Sequence, residues 1–230
     1  MSGALSLLLA GAAGAQERGP GYVYVSRWSV IGTIGLVGRE IATWDPVHDA
    51  LAASGWDGWM PTGCGAYCPD ASKIVEGRPI APILSARYQV RGRWQARGVI
   101  SYSKPGSYPG LYNNTTPLWV TPSVTVAGVQ GVGSLGPLWF GAGPAWYSGA
   151  VHTTSTGMDS SRTGSGLGAV LSAALAVPRS GRVFLELVLE RRILGSITMP
   201  DVPVSGAPTV PTMTIPLSHT LLSAGAGLRL

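Results

Sequence analysis

Charged residues and long hydrophobic runs are both scarce in this chain. Its 230 residues include 16 Lys and Arg and 11 Asp and Glu, so that 12% of the chain is charged, against roughly 25% in typical soluble domains. The mean hydropathy is +0.25, yet no apolar run reaches the roughly 18 residues that a transmembrane helix needs. These features exclude a helical membrane protein, a coiled coil and intrinsic disorder.

Lysine and cysteine are nearly missing. Lys73 and Lys104 are the only lysines, and the arginines are scattered without a basic run, which argues against nucleic acid as a partner. Cys64 and Cys68 are the only cysteines, and no histidine stands at a zinc-like spacing from them. Because two cysteines supply only half of a zinc ligand set, we expect no metal and no cofactor.

Glycine and proline are abundant instead, with 33 and 18 residues. After Gln16 they separate stretches in which apolar residues alternate with small or polar ones, the period of a β-strand. These stretches exceed the roughly 5–6 residues of soluble strands and fit strands tilted across a membrane. The eight stretches are residues 26–38, 79–90, 94–105, 118–130, 137–150, 164–177, 182–196 and 213–230.

The connections between these stretches alternate in length. Short turns on one side and long loops on the other are typical of bacterial outer-membrane barrels, and an even strand number puts both termini on the short-turn, periplasmic side. The short connections are 91–93, 131–136 and 178–181, and the long ones are 39–78, 106–117, 151–163 and 197–212.

Each stretch has an apolar face and a small or charged face, most clearly in the seventh. A soluble eight-stranded barrel would place its large apolar side chains inside. Because no helix remains to cover a second apolar surface, we interpret the apolar face as lipid-facing and the polar face as the lumen. The two faces of the seventh stretch are Val183, Leu185, Leu187 and Leu189, against Arg182, Glu186, Glu190 and Arg192.

The carboxyl-terminal residues carry a motif. Ser223, Gly225, Leu228 and Leu230 follow the order polar, x, Gly, x, x, hydrophobic, x, hydrophobic, with leucine where an aromatic residue is usual. This resembles the assembly signal of outer-membrane barrels, and the mature chain resembles the small OmpA, OmpX and OmpW type. The resemblance implies an all-β fold, an eight-stranded antiparallel up-and-down transmembrane β-barrel with long extracellular loops, the first of them at 39–78.

The first fifteen residues predict export. Leu5 to Ala13 are nearly all apolar, and Ala13-Gly14-Ala15 has the form of a cleavage site, although no basic residue precedes the apolar run. We predict a signal peptide at 1–15 and a barrel domain at 16–230 in the bacterial outer membrane, with both termini periplasmic. The alternative is a disordered or buried apolar N-terminus.

The width of the barrel limits its function. Eight strands enclose only their own side chains or one small ligand, which predicts a structural or interaction role, or a narrow passive pore, and no enzyme. The expected partners are outer-membrane lipid and lipopolysaccharide, the barrel assembly machinery, and an extracellular ligand or protein at the long loops.

Five charged residues alternate onto the inward face and form a predicted lumen cluster. We expect them to pair and plug the lumen, with Glu186 meeting Arg97, because isolated charges in a narrow interior keep much of their desolvation penalty. The alternative is that each charge is hydrated separately. The cluster comprises Arg87, Arg97, Glu186, Glu190 and Arg192, with His219 near its top.

Two other functions stay open. An outer-leaflet lipid-modifying enzyme would need His152 or His219 in contact with a serine and a carboxylate. A soluble exported barrel would turn its apolar faces inward around a lipophilic ligand. A dinucleotide site is not expected, because the G-x-G-x-x-G match at Gly131–Gly136 precedes a strand and not a helix.

The first long loop is the most distinctive segment. Asp45 as N-cap and Pro46 at the first helical position predict a short helix over 45–54. The loop either binds a partner or folds back over the barrel mouth with its aromatic residues buried. Those residues are Trp44, Trp56, Trp59 and Tyr67.

Cys64 and Cys68 are predicted to form a disulfide outside the membrane. Exported proteins meet an oxidising compartment, and so small a ring stabilises the fold only modestly. Alkylation of the undenatured, unreduced protein should label neither cysteine. Labelling of both thiols would contradict the prediction.

Overall fold

A computed structural model describes the chain in seven segments, residues 27–38, 45–58, 80–105, 107–113, 115–135, 137–177 and 182–230. The predicted signal peptide at 1–15, both cysteines and the residues Trp44, Trp59 and Tyr67 lie outside these segments, so the predictions about them stand untested. Within the segments, no helix has the length and apolar character needed to span a membrane.

The described segments are almost entirely β-structure. One short helix occurs among them, and it coincides with the helix predicted after Asp45. The elements are β1 (Trp28–Gly38), α1 (Asp45–Ala53), β2 (Asp57–Gly58), β3 (Ile80–Arg91), β4 (Trp94–Ser103), β5 (Tyr108–Tyr112), β6 (Thr116–Leu135), β7 (Leu138–Ser155), β8 (Met158–Val177), β9 (Val183–Ile193), β10 (Ser196–Met199), β11 (Met213–Pro216) and β12 (His219–Arg229).

Eight strands close into an antiparallel barrel, which confirms the predicted fold class. Each barrel strand pairs with the next one along the chain, and β12 returns to pair with β1 from Thr220 to Arg229. Closure gives every barrel strand a hydrogen-bonded neighbour strand on each side, although the longest strands extend past their neighbours. The strand order around the barrel is β1, β3, β4, β6, β7, β8, β9 and β12.

The seam between the first and last strands is close-packed at Gly225, a residue of the carboxyl-terminal motif. A Cβ atom there would overlap the carbonyl oxygen of Gly32 and the side chain of Thr33. Glycine is therefore the residue that lets β12 and β1 approach at this point. Leu228, which directly follows the next glycine, points outward and is 41% exposed.

Three barrel strands are much longer than the others and form a wall beyond the barrel rim. β6 and β8 have 20 residues and β7 has 18, whereas β1, β9 and β12 have 11. β8 pairs with β7 from Met158 onward but with β9 only from Ala169. We call the end of the barrel beneath this wall the cap end, and the opposite end, with the short turns, the turn end.

The long connection predicted at 151–163 is wrong. β7 and β8 stay paired up to Ser155 and Met158, and only Thr156 and Gly157 form the turn. Gly157 has a φ of 71°, which glycine adopts at little cost. The threonines of this segment are compatible with strands, because threonine is a good β-former.

The predicted last stretch, 213–230, is two strands and not one. β11 ends at Pro216, which has no N–H to donate, and β12 begins at His219. Between them, the N–H of Leu217 donates to the carbonyl of Gly195 at 3.0 Å. β11 pairs instead with β10 in a hairpin. The predicted loop at 197–212 therefore contains ordered structure.

Large apolar side chains cover the outside of the barrel. On β9, Leu185 and Leu189 are 65% and 52% exposed, whereas Glu186 is 2% exposed. The apolar faces thus point outward, the opposite of a soluble lipophile-binding barrel. Other members of this belt are Ile34, Leu36, Leu84, Ile100, Val129, Phe140, Leu167, Leu171, Leu187 and Leu222.

An apolar core fills the interior at the cap end, which the alternation did not predict. We call α1 and the β10–β11 hairpin the cap. The core joins side chains of the cap to side chains of the β6–β8 wall. Trp56 is 1% exposed in this core, so this aromatic residue of the first loop folds inward. Core members include Val47, Leu51, Val120, Val124, Tyr147, Val151, Ile197, Met199, Met213, Ile215 and Leu217.

Two glycines in the wall make room for the hairpin. A Cβ atom at Gly149 would lie 2.6 Å from Leu217 Cδ1, and one at Gly164 would lie 3.1 Å from Ile197 Cγ1. At Gly149 the Leu217 side chain would have to shift, and at Gly164 Ile197 would have to give way by a few tenths of an ångström. The interior therefore has an apolar layer at the cap end above a charged layer in the barrel.

Candidate functional site in the barrel lumen

The charged layer is built from residues on β3, β4 and β9. Arg87 on β3 and Arg97 on β4 are paired in register, and both point inward. Glu186, Glu190 and Arg192 alternate inward along β9. The structure thus brings all five predicted cluster residues to the lumen side of the barrel, each at most 3% exposed.

Arg87 and Glu186 form the part of the cluster nearer the turn end. The two side chains make an ion pair, Nη2 to Oε1, in which both are almost completely buried. The guanidinium carbon of Arg87 also lies 4.9 Å from the centroid of the Trp139 ring, a cation–π distance. Arg87 is therefore held on one side by charge and on another by an aromatic ring.

Arg97 and Glu190 form the second ion pair, across the lumen. Arg97 Nη1 lies 3.3 Å from Glu190 Oε2, although β4 and β9 are four strands apart around the barrel. Arg192 Nε donates to Glu190 Oε1 at 2.8 Å. Glu190 thus bridges two arginines, one on its own strand and one across the lumen.

Gln130 completes this bridge and was missed by the sequence analysis. Its Oε1 accepts hydrogen bonds from Arg97 at 2.9 Å and from Ser172 Oγ at 3.3 Å, and its Nε2 donates to the Val170 carbonyl at 3.3 Å. Its position opposite Arg97 in the β4–β6 register is the signal that would have identified it. Gln130 is uncharged, so a search for charged residues on the inward faces does not select it.

The pairing partners differ from the prediction. Glu186 meets Arg87, and Arg97 meets Glu190, whereas Glu186 with Arg97 was expected. Glu186 and Arg97 lie at similar distances along their strands from the nearest turns, which predicts that they lie at the same height in the lumen. The strands of a barrel, however, are tilted and staggered. Equal distance along two strands therefore does not mean equal height in the lumen.

The enzyme hypothesis requires a serine, a histidine and a carboxylate in contact, and the structure brings together only the serine and the histidine. His219 Nε2 lies 3.1 Å from Ser103 Oγ, and His219 Nδ1 lies 2.7 Å from the Leu217 carbonyl oxygen. A backbone carbonyl thus takes the place of the orienting carboxylate. Ser103 and His219 are 0% and 1% exposed, so that neither meets solvent.

The other two histidines lie apart from the lumen. His152 is an exposed residue of β7. His48 on α1 has its Nδ1 2.5 Å from the Tyr108 hydroxyl, a contact between the helix and β5. Within the segments that the structure describes, no group of three or more His, Cys, Asp or Glu residues is arranged to hold a metal ion.

Comparison with known proteins gives similarity at the level of solved structures. No family model and no curated protein sequence matches the chain. The chain is similar to Ail, the attachment invasion locus protein of Yersinia pestis, at 13% identity and a TM-score of 0.44, over 88% of this chain and 97% of that one. The same coverage holds for Ail in complex with the heparin analogue sucrose octasulfate, at 12% identity and a TM-score of 0.42.

Replacing Arg87 and Glu186 by Gln should show strong coupling. Each single change leaves a buried charge without its partner, which costs about 3–5 kcal/mol, whereas the double change removes both charges. The loss of unfolding free energy in the double variant should fall short of the sum of the singles by about 0.5–3 kcal/mol. Urea unfolding in lipid vesicles gives the free energy of unfolding of the wild type, the two single variants and the double variant.

The matched control for this cycle is the pair Glu186→Gln and Arg97→Gln. These two side chains belong to different ion pairs, so their coupling should be the smaller of the two. A larger coupling in the control pair would contradict the pairing described above.

Ser103 should not react with a fluorophosphonate probe in the folded barrel. It is 0% exposed, so the probe cannot reach its hydroxyl while the barrel is folded. A serine esterase labelled in the same detergent is the positive control. Labelling that disappears in Ser103→Ala would overturn the expectation and favour a hydrolase.

Proposed function

We propose that this protein is an integral protein of the bacterial outer membrane whose barrel is an anchor and whose lumen is closed. Its role is structural or interactive, exerted at the cap end, and it is neither a pore for solutes nor an enzyme. The observation that carries the proposal is a closed barrel with an apolar exterior around buried ion pairs.

The apolar belt supports the membrane location. Leucine and other large apolar side chains that are half exposed or more surround the barrel on all sides. Monomeric soluble proteins rarely expose apolar patches beyond a few hundred Å². A closed barrel also satisfies its backbone hydrogen bonds internally, which hydrocarbon surroundings require.

Two successive layers support a closed lumen. The Glu190 bridge spans the lumen from β9 to β4, and the apolar core of the cap lies beyond it. An ion would have to break buried charge pairs and then cross an apolar layer. Each step carries a large desolvation cost.

The orientation follows from the lengths of the connections. Outer-membrane barrels have short periplasmic turns and longer extracellular segments, so the turn end and both termini belong in the periplasm. The cap and the wall then lie outside the cell. Lipopolysaccharide and the barrel assembly machinery are the partners that such a location provides.

The burial of Ser103 and His219 supports the absence of enzymatic activity. A catalytic serine and its base must reach a substrate, and these two are only 0% and 1% exposed. Their hydrogen bond satisfies two polar groups in a closed interior, which is sufficient reason for the pair to exist.

Fractionation and conductance test the proposal together. The protein should be recovered with the outer membrane and should change its migration in SDS only after boiling. The wild-type barrel should give no steady conductance in planar bilayers, with a wide porin as the positive control. Recovery in the periplasm would exclude the membrane location, and steady conductance would exclude the closed lumen.

Leu187→Arg and Arg191→Leu test the lipid-facing surface. Leu187 lies mid-strand and is 48% exposed, whereas Arg191 lies near the cap end and donates to Thr220 Oγ1 at 3.2 Å. An outward arginine costs about 2–4 kcal/mol at the midplane and ~0–1 kcal/mol at an interface. Folding into vesicles should therefore fail or weaken greatly in Leu187→Arg and persist in Arg191→Leu; equal effects would contradict the assignment.

A further inference from the structure

The buried charges of the lumen do not balance. Among the described residues, three arginines and two glutamates are buried, which leaves one positive charge in excess. Arginine stays protonated in proteins, so the loss of a proton cannot remove this excess. A buried charge without a counter-charge keeps a large desolvation penalty. The residues are Arg87, Arg97 and Arg192, against Glu186 and Glu190.

The excess positive charge lies at Glu190 and not at Glu186. Glu186 forms a one-to-one ion pair with Arg87. Glu190, in contrast, is shared between two arginines: Arg97 Nη1 lies 3.3 Å from its Oε2, and Arg192 Nη2 lies 2.8 Å from its Oε1. Because one carboxylate faces two guanidinium groups, this part of the cluster carries a net positive charge.

Arg192 directs one side of its guanidinium group away from Glu190. Its Nε and Nη2 both lie 2.8 Å from Glu190 Oε1, so that edge faces the carboxylate. Nη1, at the other edge, is buried and has no hydrogen-bond partner in the part of the chain that the structure describes. The register neighbours of Arg192 are Val170 on β8 and His219 on β12, and neither carries a negative charge. Nη1 thus lacks both an acceptor and a counter-charge.

Ser101 supplies a second buried donor on the same level of the lumen. On β4 it lies between Arg97, whose ion pair crosses the lumen, and Ser103. Ser103 Oγ lies 3.1 Å from His219 Nε2, and His219 is the register neighbour of Arg192. Ser101 and Arg192 therefore both lie between these two contacts. The Oγ of Ser101 is buried and makes no hydrogen bond to another described residue.

The unpartnered polar atoms around this level can all donate hydrogen bonds. They belong to Arg192, Arg97 and Ser101. Nearer the turn end, the unpartnered atoms include an acceptor, Glu186 Oε2, beside the donor Arg87 Nε. Buried water satisfies donors and acceptors alike, but it brings no negative charge. Donors gathered around an excess positive charge are the surroundings that an anion requires.

We propose that the lumen binds one small monovalent anion of the chloride class between Arg192 and Ser101. One negative charge balances the excess, and Arg192 Nη1 and Ser101 Oγ donate hydrogen bonds to the anion. The interior of an eight-stranded barrel is wide enough for one small ligand. The adjacent apolar core of the cap disfavours strongly hydrated ions such as sulfate, because they lose more hydration on burial. The proposal depends on the folded barrel and not on the role proposed above.

Urea unfolding of the full chain in phosphatidylcholine vesicles tests the proposal. Sodium chloride is exchanged for sodium gluconate at constant ionic strength, since gluconate is monovalent but too large for the site, and each sample is refolded in its own salt. A ligand that binds only the folded state stabilises it by mass action. The folded-to-unfolded ratio of the wild type should therefore rise about tenfold for each tenfold rise in chloride above its Kd. Bromide should replace chloride in this effect.

Two variants and one control distinguish anion binding from a structural role. Arg192→Gln removes the excess charge, so its stability should no longer depend on chloride. Ser101→Ala removes one donor but keeps the charge, so its chloride Kd should rise severalfold. Arg191→Gln is the matched control, because Arg191 lies on the other face of β9 and donates to Thr220 Oγ1; it should keep the chloride dependence of the wild type. A purely structural role would change stability equally in both salts.

Crystals grown in bromide locate the anion by anomalous scattering, and the peak should lie within hydrogen-bond distance of Arg192 Nη1. Three results would overturn the proposal: equal wild-type stability in chloride and gluconate, which a lumen holding only water would give; an unchanged chloride dependence in Arg192→Gln; or bromide peaks on the surface alone. If Arg192→Gln fails to fold in every salt, the wild-type series, Ser101→Ala and the bromide peak still decide. Fractionation and conductance are measured separately, so either proposal can fail alone.

Discussion

Closure of the sheet by β12 on β1 is the constraint on which the other features depend. Within a barrel, each strand finds its hydrogen-bonding partner in the next, and the last must return to the first. The glycine at position 225 permits this return by allowing the two strands to meet closely. Closure then sorts the side chains, since alternate residues of every strand point either into a narrow lumen or onto the apolar exterior.

The narrow lumen determines how its charges are arranged. Arginine and glutamate side chains are costly to bury alone, so each must find a partner across or beside it. Glu190 meets this condition by bridging Arg97 and Arg192, and Gln130 orients Arg97 from the next strand. Nearer the cap, apolar residues replace charged ones because the hairpin and α1 supply an apolar surface for the wall to cover.

Most of the fold could be predicted because period-two alternation is a local property of the sequence. The eight strands, their faces and α1 all follow from residues close together in the chain. The partners of Glu186 and Arg97 could not be predicted, because they depend on the tilt and stagger of strands that are remote in sequence. The cap core could not be predicted for the same reason. Trp56 and Ile215 are remote in sequence, and they join one buried cluster only in the folded protein.

The apolar core of the cap gives the molecule a second cooperative unit. Its members come from α1, the wall and the hairpin, and they are held by side-chain packing, whereas the barrel strands are held by a closed ladder of hydrogen bonds. Local opening occurs where the stabilising contacts are fewest, so heat or denaturant can melt the hairpin away from the wall while the ladder beneath it stays intact. Gly149 and Gly164 lie at the contact between the wall and these apolar side chains, the surface that such an opening would expose.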